Sequence, residues 1–303
     1  KNNLNLLMKK KPLVSIIMNC LNGQEYLKFA LKSVINQTYK NWELIFWDNK
    51  STDNSAKILR NFKDKRIKYF YAKKRTELHK ARNLAIKKTK GEFIAFLDVD
   101  DMWLKDKLHL QMPKFKKKNV GLVYSNFYKY YKKGKKKIAH NDKLPKGKIT
   151  SSIIKNYQIG IITVVIRKKF INNNITFDSR YDLISDYDFG LNFSLKHNFE
   201  SINKPLAFYR IHKNQIQKKK MILQAQQFCD WFLKKNIKKK FKNYDTSSIQ
   251  RKYEYYDLIR DLNKSKIKLY LKMFKNFNLK NFLKVNALIF FPKKIIFKFI
   301  DNV

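Results

Sequence analysis

Cysteine is almost missing: two residues in a chain of 303, too few for a disulfide framework or a Cys-rich zinc site. Seven Gly and five Pro exclude collagen-like and Pro-rich low-complexity chains. Acidic residues are scarce too, 23 against 68 Lys and Arg, which leaves a formal charge of +45. No uninterrupted apolar stretch reaches the roughly 18 residues that a membrane-crossing helix needs. Neither a GxGxxG nor a GxxxxGK[ST] sequence occurs, so the dinucleotide fingerprint and the P-loop are both absent. What the chain does have is 44% hydrophobic and 15% aromatic residues, enough to build a sizeable core.

So large a positive charge first suggests nucleic acid or an anionic membrane. Its make-up argues against nucleic acid. Nine Arg stand against 59 Lys, spread along the whole sequence. Nucleic-acid binders concentrate charge on one element and use Arg forks for phosphate and base contacts. The expectation is therefore no specific nucleic-acid partner, and a general attraction to anionic lipid. Residues 1–12 are basic and Leu13–Leu21 mostly apolar, which imitates a secretory leader. Asn19, Asn22, Gln24 and Glu25 interrupt that pattern, and no small-x-small cleavage site follows. The segment reads instead as a basic lead-in to a buried strand, in a cytoplasmic protein whose Cys20 is a small core residue.

The first hundred residues alternate between two periods. Leu13–Met18, Leu44–Trp47, Ile67–Tyr71 and Phe93–Leu97 are short β-rich runs. Between them lie helix-spaced positions: Tyr26, Leu27, Ala30, Leu31, Val34 and Ile35; then Ala56, Ile58, Leu59 and Phe62; then Ala81–Lys88. This βαβαβαβ order predicts an α/β fold, a mostly parallel central sheet flanked by helices. Gly121–Tyr131 and Ile159–Arg167 read as further strands on either side of a Lys-rich turn, Lys132–Lys137, and Ser185–Phe193 opens a helix. Beyond Gln215 the pattern is helical, rich in Lys and aromatics, with the boundary between Ile211 and Lys220.

Ligands of open parallel sheets sit at the carboxyl ends of the strands. Asn19, Asp48 and Asp98 each follow one of these strands. Asp98-Val99-Asp100-Asp101 puts three carboxylates into four positions, Asp98 and Asp100 on one side if the segment is extended. Their mutual repulsion calls for a cation. Hard oxygen ligands of this kind suit Mg²⁺ or Mn²⁺, with phosphate oxygens completing the shell. The alternative is a solvated acidic turn that caps a helix beginning near Leu104.

The blocks Leu13–Gly23, Gln37–Ile45, Asp48–Ser55, Ala81-Arg82-Asn83 and Gly91–Asp101 together resemble family 2 glycosyltransferases of the GT-A fold, a Rossmann-like architecture. Ser185–Phe189 and Phe208–His212 resemble two later blocks of the same family. The likeness covers roughly residues 12–215. It implies a catalytic domain over 1–215, with a nucleotide-sugar half at about 12–101 and an acceptor half at about 102–215. Residues 216–303 would then be a helical extension.

By that resemblance Asp48 and Asn49 read the nucleotide base, most often uracil, and Asn19, Leu21 and Asn22 pass beside base and ribose. Arg82 lies near the pyrophosphate, and Asp98 with Val99 near the ribose or sugar. Asp100 ligates Mn²⁺ or Mg²⁺, with His212 as an additional metal ligand or a contact to the diphosphate. Asp186, among Tyr181, Tyr187 and Phe189, is the catalytic base of an inverting transfer from a nucleotide-sugar donor to a saccharide or lipid-linked saccharide acceptor. Four positions depart from the family: Asn19 for Pro, Leu21 for Tyr, Asn49 for a second Asp, and Ser185 for the acid before the base.

Between 265 and 300, apolar residues such as Leu269, Phe274 and Phe277 alternate with Lys, a pattern for an interfacial helix on an anionic membrane. Packing on the catalytic domain, or on another subunit of a homo-oligomer, explains the same pattern. The expected location is peripheral, on the inner face of the cell membrane. Two rival classes remain at this level: a non-catalytic basic protein that binds anionic lipid or nucleic acid, and an inactive relative that keeps the fold.

Overall fold

In a computed structural model, which describes residues 11–172, 176–213 and 220–260, the two most apolar N-terminal runs become neighbouring parallel strands. They are β1 (Val14–Cys20) and β2 (Trp42–Asp48), buried at every position. Strands covered on both faces read as continuous hydrophobic runs, which is how these appear in the sequence. Outside them stands β3 (Ile67–Tyr71), half-exposed as befits an edge; on the other side lies β4 (Phe93–Phe96), fully buried. The connecting helices are α1 (Leu27–Ile35), α2 (Ser55–Arg60) and α3 (Leu78–Ile86). Helix α1 buries Leu27, Ala30, Leu31 and Val34, the face its spacing predicts.

The second half adds β5 (Met102–Trp103), α4 (Lys107–Gln111), β6 (Val120–Tyr130), β7 (Lys136–Ile138), α5 (Thr150–Lys155), β8 (Val165–Arg167), α6 (Ser185–Ser194) and β9 (Asn198–Arg210). The sheet order is β3-β2-β1-β4-β8-β6-β9-β5, with β7 paired to β6. The β1–β4 part is parallel; β8 joins β4 and β6 antiparallel, while β6 and β9 run parallel.

Several local expectations change. Ile159–Arg167 is not one strand: Ile161–Thr163 forms a 3₁₀ turn, closed by Thr163 donating through N–H and Oγ1 to Gly160 O, and only Val165–Arg167 pairs. The Lys-rich turn is narrower than the spacing suggests. Lys133 and Gly134 take positive φ values of 59° and 76°, and Lys136–Ile138 returns as a strand on β6. Strand β9 has no simple alternating signal, because Lys204 and Pro205 interrupt it and its register against β6 shifts near Asn126. The helix after the acidic segment begins at Lys107, not near Leu104. Residues 98–101 are a turn, closed by Asp101 N–H donating to Asp98 O (3.1 Å), not an extended run.

Polar residues lock the sheet from within. Ser15 donates to Glu43 Oε1 (2.6 Å) and accepts from Gly91 N–H (2.8 Å), while Lys90 N–H donates to the same Glu43 oxygen. Gly91 is required there, since a Cβ would stand 2.6 Å from Leu13 O. Lys107 is wholly buried, its Nζ donating to Gln111 Oε1 (2.8 Å) above the Trp103 ring.

The chain divides into two compact units, Lys1–Ile153 with Tyr157–Lys213, and Ile154–Asn156 with Asn214–Val303. In the second, α7 (Met221–Lys234), α8 (Ile237–Lys240) and α9 (Ser247–Arg260) pack through aromatics. Phe232 stacks on Tyr253 at 4.5 Å, and Phe228 meets Tyr256 at 5.0 Å. The interfacial pattern at 265–300 lies outside the described residues. Among the described residues no helix is long and apolar enough to cross a membrane.

Burial without a carboxylate partner pushes the Lys107 ammonium well below its usual range. Between that depressed value and the ordinary one of about 10.4, the unfolded chain holds a proton that the folded chain lacks, so stability rises with pH. Denaturant unfolding from pH 6 to 9 is expected to show the wild type gaining on Lys107→Met, by at most about 1.4 kcal/mol per pH unit. Parallel curves would contradict the depressed Lys107 value.

Candidate active site

Two loops at the carboxyl ends of β1 and β2 are stitched together. Asn22 adopts φ 55° and accepts through Oδ1 from Thr52 N–H (2.8 Å), while its own N–H donates to Ser51 Oγ (3.1 Å). Gly23 N–H donates to Ser55 Oγ, and Gln24 N–H to Asp53 Oδ2. Gly23 approaches the acidic turn so closely that a Cβ would lie 2.9 Å from Val99 Cγ2. Val99 thus packs against the β1 loop. Leu21 is exposed beside it.

Asp48 is the last residue of β2 and is buried. Its Oδ1 accepts from Ser51 N–H (2.7 Å) and its Oδ2 from the Tyr69 hydroxyl (3.0 Å). Burial, then the hydrogen bond to Asp48, pushes the Tyr69 phenol up to about 12. Asn49 is clamped to Thr76: its Nδ2 donates to Thr76 O (2.6 Å) and its Oδ1 accepts from Thr76 N–H (3.1 Å). Such a two-way clamp needs an amide, because a carboxylate has no donor. The departure at Asn49 therefore has a structural reason, tethering the approach to α3.

In the acidic turn each carboxylate has its own counter-group. Arg82, buried between the rings of Phe96 and Phe177, reaches Asp98 Oδ1 at 3.3 Å. His212 Nε2 meets Asp100 Oδ2 at 2.9 Å. Arg210 N–H donates to Asp101 Oδ1 (2.8 Å), and Arg210 Nε donates to Asp100 O (2.8 Å). Burial first, then the Asp100 and Asp98 charges, pushes the Asp101 carboxyl well above the usual range, so it serves as a buried anchor. Asp98 is also pushed up, by burial and by the charges of Asp100 and Asp186, against the opposing pull of Arg82.

Asp186 is therefore near enough for its charge to act on Asp98. Tyr209 makes the point again, its phenol raised by burial and then by the charges of Asp101, Asp100, Asp98 and Asp186 together. Asp186 stands half-buried in the first turn of α6, its Oδ1 accepting from Tyr187 N–H (2.9 Å). Behind it the Tyr157 hydroxyl donates to Asp186 O (3.0 Å), and a Cβ on Gly190 would collide with that hydroxyl. Ser185 is wholly buried, so an acid there would be shut away from solvent.

Buried polar atoms without a hydrogen-bond partner gather here: Asn19 Nδ2, His79 Nε2, Arg82 Nε, Asp101 Oδ2 and Ser185 Oγ. Native structures satisfy nearly all such atoms, so each of these is available to a polar ligand. Among the described residues no group of three or more His, Cys, Asp or Glu is arranged to hold a metal alone. Asp100 and His212 nevertheless fit a divalent cation whose remaining positions come from a substrate, since they pair a hard oxygen with an imidazole nitrogen. A cavity of about 480 Å³ near Tyr39, Glu92 and His109 lies at the opposite, amino ends of β1 and β4, remote from these groups.

Sequence reasoning misses Tyr69, Asp182, His79 and Tyr157. Arg210 falls within a quoted block, yet its role shows only in the fold.

Residues 15–179 match the family described as Glycosyl transferase family 2. The chain is 33% identical over 216 residues to the UDP-Glc:alpha-D-GlcNAc-diphosphoundecaprenol beta-1,3-glucosyltransferase WfgD of Escherichia coli, covering 69% of this chain and 81% of that one. In fold it resembles the mannosyltransferase PcManGT of Pyrobaculum calidifontis, solved with GDP-Man and Mn²⁺. The TM-score is 0.58 at 14% identity, over 93% of this chain and 81% of that one. It also resembles residues 1–349 of S. aureus TarS, solved with UDP-GlcNAc: TM-score 0.56, 17% identity, 90% and 75% coverage. The chain belongs to glycosyl transferase family 2, and its architecture is that of the GT-A glycosyltransferases.

Replacing Asn49 by the family's more usual acid is expected to destabilise. Asn49→Asp sets an acceptor against Thr76 O and should cost about 1–3 kcal/mol, read as a lower midpoint in denaturant unfolding. An unchanged midpoint would show that the Thr76 clamp carries no weight.

Proposed function

We propose that the protein is an inverting glycosyltransferase that moves a sugar from a nucleotide-diphosphate sugar, with UDP-sugar favoured, to a hydroxyl of a surface glycan or lipid-linked saccharide. The observation that carries this reading is the acidic turn after β4, with Arg82 on Asp98, His212 on Asp100 and the Arg210 N–H on Asp101, near enough to Asp186 for its charge to act on Asp98. A relative that acts on a diphosphoundecaprenol-linked sugar supports a lipid-linked acceptor. Such an acceptor fits a peripheral position on the inner face of the membrane, held by the basic surface.

The geometry is compatible with the following roles. Asp48 keeps acceptor capacity on both oxygens beyond its bonds to Ser51 and Tyr69, and can take an N–H from a pyrimidine base. Asn19, Leu21 and Asn22 line the β1 loop along which base and ribose would lie. Arg82, with an unmet Nε, offers positive charge to the diphosphate and holds Asp98 in place. Asp100 and His212 would hold Mn²⁺ or Mg²⁺, which when bound neutralises charge on the departing nucleoside diphosphate. Asp186 accepts the proton of the acceptor hydroxyl as that oxygen attacks the anomeric carbon opposite the leaving group, which inverts the centre.

Purified protein assayed with Mn²⁺, a panel of nucleotide sugars and a lipid-diphosphate-linked sugar acceptor should transfer one sugar with inverted anomeric configuration, read by NMR of the product. Asp186→Asn should lower kcat by roughly 10²–10⁴-fold while UDP binding persists. Full turnover by Asp186→Asn, or a retained anomer, would remove the mechanism.

A further inference from the structure

Helix α3 carries a second polar group, facing the same cluster as Arg82. His79 lies one turn before Arg82 and is 3% exposed. Asp182, one turn before Asp186 in sequence, holds it twice: Asp182 Oδ1 accepts from the His79 backbone N–H at 3.0 Å and lies 3.3 Å from its ring Nδ1. Burial alone would raise the Asp182 carboxyl, but the His79 hydrogen bonds outweigh it and hold the group below the usual range. An ionised carboxylate can only accept, so Nδ1 carries the proton in this pair. In the tautomer with Nδ1–H, Nε2 is the acceptor of the ring.

That Nε2 is buried and has no hydrogen-bond partner. A histidine kept only for packing needs no such polarised orientation, and an unmet buried acceptor is costly. The ring packs on Phe177 at 5.5 Å, and Phe177 in turn lies under the Arg82 guanidinium. His79 and Arg82 both act on Asp98, the carboxylate at the edge of the acidic turn. The groups around it are Asp182, Arg82, Asp98, Phe177 and, just before α3, Glu77. None of them supplies Nε2 with a donor hydrogen.

We propose that His79, oriented by Asp182, is a donor-recognition residue of this cleft, its Nε2 accepting a hydroxyl hydrogen from the nucleotide sugar. The inference rests on the sugar-transfer reading above and deepens it. The hydroxyl belongs either to the transferred sugar or to the ribose; both present the same O–H chemistry. By serving as a fixed acceptor, His79 discriminates among donors through a hydroxyl that a competing donor lacks or points elsewhere, which is how buried polar groups reject analogues.

The test is calorimetric binding with Mn²⁺ of UDP and of UDP-glucose or UDP-N-acetylglucosamine, whichever the wild type takes. The proteins are wild type, His79→Phe and His79→Gln. In His79→Phe the Asp182 carboxylate keeps the backbone N–H, and the ring volume is preserved. Loss of tenfold or more in nucleotide-sugar affinity with UDP binding unchanged assigns the hydroxyl to the sugar. Equal loss for UDP and nucleotide sugar assigns it to the ribose. In either case His79→Gln, which returns a hydrogen-bonding atom at similar reach, should recover part of the affinity. Wild-type affinities for both ligands in His79→Phe overturn the proposal while leaving the sugar-transfer reading intact. If His79→Phe fails to fold, His79→Leu is measured in the same way, and wild-type affinities for both ligands there overturn it equally. A wild type that binds none of these ligands overturns both.

Discussion

Three carboxylates on one four-residue turn are the constraint around which the rest is arranged. Left alone, Asp98, Asp100 and Asp101 would repel one another and open the turn. Each is met from a different part of the chain: Asp98 by Arg82 of α3, Asp100 by His212 beyond β9, and Asp101 by the Arg210 backbone N–H. The turn therefore draws the helix after β3 and the end of the last strand to one place. Arg210 does this twice, since its side chain also donates to Asp100 O while stacking over Tyr26. Asp101 serves structure, its carboxyl buried and held by the Arg210 N–H, while burial pushes its pKa up.

Around this turn the molecule divides its labour between rigid and unmet groups. The rigid part is dense with satisfied bonds: the Ser15–Glu43–Gly91 knot under the sheet, the loop stitches at Asn22 and Gln24, and the Asn49 clamp on Thr76. The unmet part includes Asn19 at the end of β1 and His79 and Arg82 on α3. A binding site is most effective when its polar groups are held in place before the ligand arrives, because little ordering remains to be done on binding. Tyr157 shows the same principle behind Asp186, with Gly190 clearing the space its hydroxyl needs.

The parallel half of the fold was legible because fully buried strands and one-sided helices write periodic patterns, as β1, β2 and α1 do. Asp48, Asp98 and Asp100 were legible because acids stand out in so basic a chain and fall at strand ends. The mixed half was not. Strand β9 carries Lys204 and Pro205 through a bulged register, and β8 is three residues held by its neighbours, so neither has a local signal strong enough to read. The partners of the site residues were equally hidden. Tyr69 and Asp48, His79 and Asp182, and Asp100 and His212 are joined only by tertiary folding, and nothing in their spacing announces it. The departures from the family pattern became intelligible once placed: Asn49 needs its amide, and Ser185 sits where no charge could be solvated.

The central claim is that Asp100 and His212 present an incomplete cation site, finished by a diphosphate. Electron paramagnetic resonance titration of Mn²⁺ with and without UDP measures this directly. The account predicts weak Mn²⁺ binding alone, strong binding once UDP is present, and loss of that enhancement in Asp100→Asn. Mn²⁺ binding of equal strength with and without UDP, or an enhancement that survives Asp100→Asn, would contradict it.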